Sequence, residues 1–521
     1  MINKLIVLVS FVLVTTIFAQ EVVELKLPNS NKVVIKLRFQ NGSICDPERK
    51  EGLTYATANM ITGGGTDKFS FSEIQDKIFP MAASYSSFVD KEVTTFTFQV
   101  HKDFLDEFYS VIIDLLLNPS FSESDFKRIK TNQQNFVDQG IRATSDEEYS
   151  KKALENLLFR GTNYAHLKEG NSESVKSISL KDIEEHYKKY FTINNLTVGV
   201  SGNYNFDFLS KLLTGIKGIS NNKIKLPKPD KANIPKGINI EIVQKENAFG
   251  SAIFAGFPLN ITRADDDFAA LMIANSYLGE HRKSYSKLYN LIRETRSMNY
   301  GDYSYIEWYE NGGAFMLPQS GVPRSSNYFS IWIRPVQIAK QLKMQYEELS
   351  DIKIGHAHFA FRVAMMEIDR LIKKGLTQKE FETTRDFLKS YTKLYAQTPA
   401  QQLGYLLDSK FYGRENWIKE LDGLLDNVTL QDVNNAIKKY WQIENMFVAI
   451  ITDKSEAEPL AESFRANLKS EMSYSNLVKK GLPEEVLKQD KAVASFNLNV
   501  KSVKIIESKD TFKKKVKKNI L

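Results

Sequence analysis

Two segments of the chain align without a gap, 250 residues apart: ISLKDIEEHYKKYFTINNLTVGVSGN from Ile178 and VTLQDVNNAIKKYWQIENMFVAIITD from Val428. Leu180 and Leu430, Asp182 and Asp432, the Lys-Lys-Tyr triplets ending at Tyr190 and Tyr440, and Asn195 and Asn445 recur. Each copy opens on Ser179 or Thr429 ahead of a run with helical periodicity, an N-cap signal, and closes on an apolar strand. A helix-then-strand unit repeated at corresponding places marks the chain as a duplication. Whatever fold it adopts has to be built twice.

The junction of the halves is NNKIKLPKPDKANIPKG, Asn221 to Gly237, rich in Pro, Lys and Asn and without apolar periodicity, as expected of an exposed linker. The first half opens with VVELKLPNSNKVVIKLRF, two alternating runs about a Pro-Asn-Ser-Asn turn, which is a hairpin signature. The second opens with INIEIVQKENAFGSAIFAGF, an extended run and then a Gly-punctuated apolar strand. Long amphipathic helices follow in each, such as DFLDEFYSVIIDLLLNP and FAFRVAMMEIDRLIKKG. Without strict βα alternation, the fold class read here is α+β: two duplicated halves, each an antiparallel sheet packed with helices. The expected division is 20–222 and 238–455 for the halves, 223–237 for the linker, and a tail over 456–521 that carries one more strand, NVKSVKIIES.

Composition narrows the function classes. A chain of 521 residues, 42% hydrophobic and 26% charged, is long enough for several packed domains. Much of the net charge of +7 sits in the terminal run of Lys513, Lys514, Lys515, Lys517 and Lys518, read as a solvated tail. No helix-turn-helix, zinc-finger or aromatic RNA-binding motif is present, so no nucleic-acid partner is expected. The N-terminus, MINKLIVLVSFVLVTTIFAQ, has a lysine and then an apolar run from Leu5 to Phe18, short for a membrane span. It reads as a secretory signal over residues 1–19, with Ile17 larger than is usual before the cut, and without the arginine of a mitochondrial transit peptide. The expected location is therefore exported, periplasmic or secreted, with no integral membrane segment after signal removal. Cys45 is the only cysteine, which excludes an intrachain disulfide.

The stretch EGLTYATANMITGGGT, Glu51 to Thr66, has the frame of a metal-binding helix but no histidine. Hairpin strands, then Gly-Leu, then a helix, then Gly-Gly-Gly-Thr: this order resembles the pitrilysin/insulinase family of zinc metallopeptidases, the inverzincins. Members carry H-x-x-E-H in a helix of the form G-L-A-H-F-L-E-H-M followed by G-T. Two histidines at i and i+4 share a helix face and bind one zinc, and the glutamate is the base toward the metal-bound water. Laid over this sequence, the three positions fall on Tyr55, Ala58 and Asn59. Neither a phenol nor a primary amide is a good zinc ligand, and alanine cannot move a proton, so the resemblance implies a degenerate site and no metal on this chain. The family's third ligand lies on a later helix, where Asp138 in NFVDQGIRATSDEE is the only carboxylate close to the right place. Elsewhere Asp182 and His186 stand at i and i+4 in the duplicated helix, but the second copy has Ala436, so an exposed helix face is the reading. His356 and His358 have no third ligand nearby, and Gly-Gly-Gly-Thr lacks the lysine and spacing of a phosphate loop.

In the second half, LYNLIRETRSMNYGDYSYIEWYENGG resembles the family segment in which an arginine and a tyrosine seven residues later reach the substrate near the scissile bond. Arg293 and Tyr300 stand at that spacing, with Arg296 the competing candidate in another register. An arginine offers fixed donors to a peptide carbonyl, and a tyrosine hydroxyl can stabilise a developing oxyanion. MAASYSSFVDKEVTTFTFQV resembles the strand pair to which family substrates add as an extra strand, which places the peptide edge at Ser86, Ser87 and Phe88.

The resemblance spans the first hairpin to about residue 455 and implies the fold of the mitochondrial-processing-peptidase type. Family members come as single chains of four half-units or as pairs of chains with two each, and in pairs one chain can lack zinc while supplying the Arg/Tyr pair. The implied function is a non-catalytic, substrate-positioning subunit of a two-chain exported zinc peptidase that degrades unfolded peptides in a clamshell chamber. Zinc is expected in the partner, a homologous zinc-bearing peptidase subunit, in a heterodimer or larger assembly. The alternative is a proteolytically inactive peptide-binding or scaffold protein without a zinc-bearing partner. A peptidase acting alone ranks last.

Overall fold

The protein is described here by a computed structural model covering residues 21–309, 317 and 320–513. The signal-peptide reading, and the lysines at 514, 515, 517 and 518, lie outside the described residues.

The strands in chain order are β1 (Glu21–Lys26), β2 (Lys32–Phe39), β3 (Ser84–Val89), β4 (Thr94–His101), β5 (Leu196–Gly202), β6 (Ile238–Lys245), β7 (Ser251–Leu259), β8 (Asp302–Tyr305), β9 (Asn327–Val336), β10 (Met446–Asp453) and β11 (Val500–Glu507). They form a five-stranded sheet in the order β1-β5-β2-β4-β3 and a six-stranded sheet in the order β11-β6-β10-β7-β9-β8. With β11 set aside, the two orders are the same. The repeated strand β5 or β10 lies parallel to β1 or β6 and antiparallel to β2 or β7, and the remaining pairings within each repeat are antiparallel. Both central strands are almost wholly buried, which explains their unbroken apolar runs.

The hairpin expected from β1 and β2 does not form. A turn is made, with Ser30 N–H bonded to Leu27 O at 2.9 Å, but β5 enters between the two strands. Val23 pairs with Gly199 and Leu37 with Val198, so the turn joins strands that each find their partner in a distant segment. The tail strand also finds its place: β11 adds parallel to β6, with Val503 opposite Ile240 and Ile505 opposite Ile242.

The helices that position the candidate site are α1 (Leu53–Gly63), α2 (Glu123–Asn135), α3 (Asp146–Phe159), α4 (Leu180–Tyr190), α5 (Phe268–Gly279), α6 (Gln378–Tyr395), α7 (Pro399–Phe411), α8 (Leu430–Tyr440) and α9 (Glu484–Ala494). The duplicated helices α4 and α8 each start with a reciprocal capping box, Ser179 with Asp182 and Thr429 with Asp432. Packing repeats as well: α1 lies against α2, α4 and β3, and α5 against α6, α8 and β8.

The halves exchange one helix each. By chain position α3 belongs to the first half, yet it packs on β7, β9 and β10, while α7 of the second half packs on β1, β2 and β5. Leu403 and Leu407 of α7 close a small core with Val23 and Val34, and Leu154, Leu157 and Leu158 of α3 join the core of the second sheet. The linker is not a free tether, because Asn233 N–H bonds to Leu158 O at 2.7 Å and Asp230 N–H to Asn163 Oδ1 at 3.0 Å, strapping it across the end of α3.

A buried ionic layer crosses the same boundary. Arg38 on β2 pairs with Asp408 on α7 at 2.8 Å, and Asp408 also meets Arg263 at 3.0 Å. Arg324 reaches back to Asp90 at 2.6 Å and to Glu155 on α3 at 3.0 Å, and Lys91 meets Glu155 at 2.7 Å. Burial would push the Glu155 carboxyl up, but Lys91 and Arg324 hold it well below the usual carboxylate range.

Candidate functional site

The start of α1 is locked from several sides. Gly52, at its N-cap, has φ 93°, and a Cβ there would meet the Glu169 carbonyl oxygen at 2.6 Å, so glycine is required. The Asp46 carboxylate accepts from Gly52 N–H and Thr54 N–H, each at 2.7 Å, and from the Thr54 hydroxyl at 2.6 Å, which satisfies orphan donors of the helix. With its proton spent on Asp46, the Thr54 hydroxyl accepts from His186 Nε2 at 2.9 Å. His186 is therefore buried under α1, not on an exposed face as its spacing led us to expect, because α4 turns that side into the helix pair. Burial pushes its imidazole down to about 4. Gln133 of α2 donates to Gly52 O at 3.0 Å and to Glu169 O at 2.9 Å.

From this anchor the helix divides its faces. Leu53, Ala56 and Met60 pack with Ile129 and Ile183, while Ala58 and Ile61 enter the core of the first sheet. Tyr55, Asn59 and Thr62 form the partly buried polar stripe. The counterpart helix α5 has no such stripe, since every one of its residues is buried. Thr62 and Ser87 hydroxyls meet at 3.0 Å, joining the stripe to β3. Among the described residues β3 is the outer strand of its sheet and pairs only with β4, so Ser86, Ser87 and Phe88 lie on an edge, with Lys168 Nζ 4.1 Å from the Phe88 ring centroid.

The donor set on this face does not fit a zinc ion. Ala58 is buried and offers no donor, and the Asn59 amide nitrogen is turned back onto Tyr55 O at 2.9 Å within its own helix. Asp138 follows α2 in a π-helical turn over Phe136–Gly140, exposed and bonded to Gln134 at 2.8 Å. His356 and His358 are buried, the first bonded to Ser473 O at 3.1 Å and the second to the Ser463 hydroxyl at 2.8 Å.

At the other edge-strand position, a π-helical turn over Tyr289–Glu294 leads into β8. Its Arg293 guanidinium lies 5.2 Å from the centroid of the Tyr300 ring. Tyr300 is 72% exposed, and among the described residues neither a carboxylate pairs with Arg293 nor a hydrogen-bond partner meets the Tyr300 hydroxyl. Arg296, the competing residue, is buried and spent on Asp490 at 2.7 Å and Gln489 at 2.8 Å, a tie to α9. The structure thus brings Arg293 to Tyr300, and the α1 stripe to β3, at corresponding ends of two different sheets. Sequence reasoning missed Asp46, Thr62 and two polar neighbours of Tyr300, Asn299 and Asp302. Asp302 is fully buried, and burial pushes its carboxyl well above the ordinary range. The spacing of Asn299 and Asp302 about an exposed tyrosine was the available signal.

Comparison with known proteins agrees with this architecture. Residues 21–169 match insulinase (peptidase family M16), and residues 177–328 match the peptidase M16 inactive domain, more than half of the chain between them. The non-peptidase homolog YmxG of Helicobacter pylori is 21% identical over 427 residues, covering 81% of this chain and 89% of that protein. A Bacillus subtilis protein named uncharacterized zinc protease YmxG is 20% identical, covering 82% and 94%. The crystal structure of a peptidase M16 inactive domain from Pseudomonas fluorescens superposes with a TM-score of 0.70 at 16% identity, covering 84% of this chain and 96% of that one. This chain belongs to the insulinase family, peptidase family M16, and keeps the family fold.

Proposed function

We propose that this chain is the non-catalytic, substrate-positioning subunit of a two-chain exported zinc peptidase. The observation that carries the reading is the contrast between its two edge-strand sites. One has a helix presenting Tyr55, Ala58 and Asn59, none of them a good zinc ligand, and the other has a half-buried Arg293 over an exposed Tyr300, with donors free among the described residues. The apolar run from Leu5 to Phe18 supports export.

In this reading an extended peptide adds to the open edge of β3 at Ser86–Phe88, where main-chain groups recognise it regardless of sequence. Arg293 donates to a peptide carbonyl oxygen, and the Tyr300 hydroxyl donates to the oxygen on which negative charge develops. The ring beneath the guanidinium orients it without neutralising it, so the charge remains available to substrate. A homologous partner contributes the zinc-bearing helix, and with it the activation of water that α1 has no group to perform. The two chains close on the peptide as a chamber.

Co-expression with a homologous chain bearing an intact H-x-x-E-H motif tests this. Cleavage of an unfolded peptide is expected to require both chains, and Arg293→Ala or Tyr300→Phe to lower kcat/KM about 100-fold. A partner that cleaves equally well alone overturns the subunit reading and leaves a peptide-binding or scaffold role. Stoichiometric zinc on the isolated chain overturns the non-catalytic assignment.

A further inference from the structure

Tyr300 is the single exposed residue in an otherwise buried stretch, with Met298, Asn299, Gly301 and Asp302 all buried around it. An exposed tyrosine on a strand lead-in is normally free to swing, yet here the backbone on both sides is tied to one residue. Asn299 Nδ2 donates to Arg334 O at 3.0 Å, and Arg334 N–H donates to Gly301 O at 3.3 Å. Asn299 also closes the loop on itself, with Oδ1 accepting from Gly301 N–H at 3.2 Å and Nδ2 donating to Asp302 Oδ1 at 2.7 Å. Gly301 cannot move aside for a side chain, because a Cβ there would lie 2.1 Å from the Tyr303 hydroxyl. Arg334 in turn is held by Glu147 of the exchanged helix α3 at 2.9 Å.

Two features of this arrangement are costly for a strand entrance that serves structure alone. Asn299 uses both ends of its amide on the residues flanking Tyr300, and the second Asp302 oxygen, Oδ2, is buried with no hydrogen-bond partner. An ordinary turn would fix the chain with far less buried polarity. What the polarity does accomplish is to hold the backbone of Tyr300 rigid, so that its ring stays under Arg293.

We infer that Asn299 and Asp302 are positioning residues that clamp Tyr300 against Arg293, pre-setting the pair for substrate. The consequence for cleavage rests on the subunit reading above; the clamp itself does not. A donor acting on the transition state loses most of its effect when displaced by about 1 Å, so loosening the clamp lowers kcat more than it raises KM.

The experiment joins two measurements on the full chain. The first uses 3-fluorotyrosine incorporation, with the Tyr300 resonance assigned by its loss in Tyr300→Phe. Asn299→Ala is expected to shift and sharpen that resonance toward the position of a free tyrosine, with the thermal midpoint recorded alongside. Asp302→Asn, which keeps an acceptor for Asn299, is expected to leave it in place, whereas Asp302→Ala is expected to move it. The second measures cleavage by the co-expressed pair. Asn299→Ala is expected to lower kcat about tenfold, and Asn299→Ala/Tyr300→Ala to be no slower than Tyr300→Ala, since with ring and hydroxyl both gone a positioning residue has nothing left to position. A Tyr300 resonance unmoved in Asn299→Ala overturns the clamp whatever the cleavage result. So do fully additive losses in the double variant. A resonance that moves while cleavage is untouched upholds the clamp and overturns the subunit reading instead.

Discussion

His186 shows how one buried side chain ties the candidate site to pH. Its imidazole carries a hydrogen bond to Thr54 beneath the start of α1 and is pushed from 6.5 down to about 4 by burial. The unfolded chain therefore takes up the proton first. Stability from this residue is full above about pH 6.5 and is lost as pH falls toward 4, by about 3 kcal/mol in total. His356 and His358, lowered to about 4 and about 3 by burial, act in the same direction. Urea unfolding followed between pH 7 and 4 is expected to show a steep loss, and His186→Asn to remove its own part of that slope. A slope unchanged in His186→Asn would mean that the imidazole titrates alike in the folded and unfolded chain. The residue also marks a limit of sequence reading. Its spacing from Asp182 was visible, but which side of α4 is covered depends on α1, more than a hundred residues away in the chain.

At the level of elements, β11 and β1 occupy comparable edges and meet solvent differently. Among the described residues no strand pairs with the outer edge of β1, and Glu21, Glu24 and Lys26 are exposed along it, charges that discourage a second strand. The edge of β6 is covered by β11, and the chain beyond it is pinned where the Tyr149 hydroxyl donates to Ser508 O at 2.9 Å. Removing residues from 500 onward is expected to lower the thermal midpoint by about 5 °C or more and to cause concentration-dependent association, read by sedimentation velocity. A truncated chain that stays monomeric and as stable would show that the β6 edge needs no cover. Elements of this kind were legible in the sequence where their signal is local. The capping boxes at Ser179 and Thr429 and the β-branched run of β11 are examples. Pairing was not legible, because the turn after β1 forms as its residues dictate while the strand that fills the gap, β5, lies far downstream. The stripe of Tyr55 and Asn59 was readable only beside a family resemblance, since polar residues on a half-buried helix face carry no signal of their own.

For the whole molecule, the exchange of α3 and α7 decides what can fold alone. Each sheet is completed by a helix encoded in the other half, and Arg38, Asp90, Glu155, Arg324 and Asp408 are buried where the halves meet. Separating the halves would expose the apolar seats of Leu154 and Leu403 and strand charges whose partners lie across the boundary, which costs far more than either half has in reserve. The duplication, plain in the sequence, argues for two independent units. The exchange, invisible there because an amphipathic helix looks the same whichever sheet it covers, argues for one. We therefore expect residues 21–222 and 238–513, produced separately, to be aggregated or without a cooperative transition, and to recover native-like circular dichroism when co-expressed. The intact chain is expected to unfold in a single calorimetric transition. Two separable transitions, or a first half that folds alone with a sharp midpoint, would show that α3 and α7 are dispensable guests on the opposite sheets. The same boundary reaches the β8 edge, where Glu147 of α3 pairs with Arg334 at 2.9 Å and the Arg334 carbonyl accepts from Asn299, so a single transition would carry that edge along with the first half.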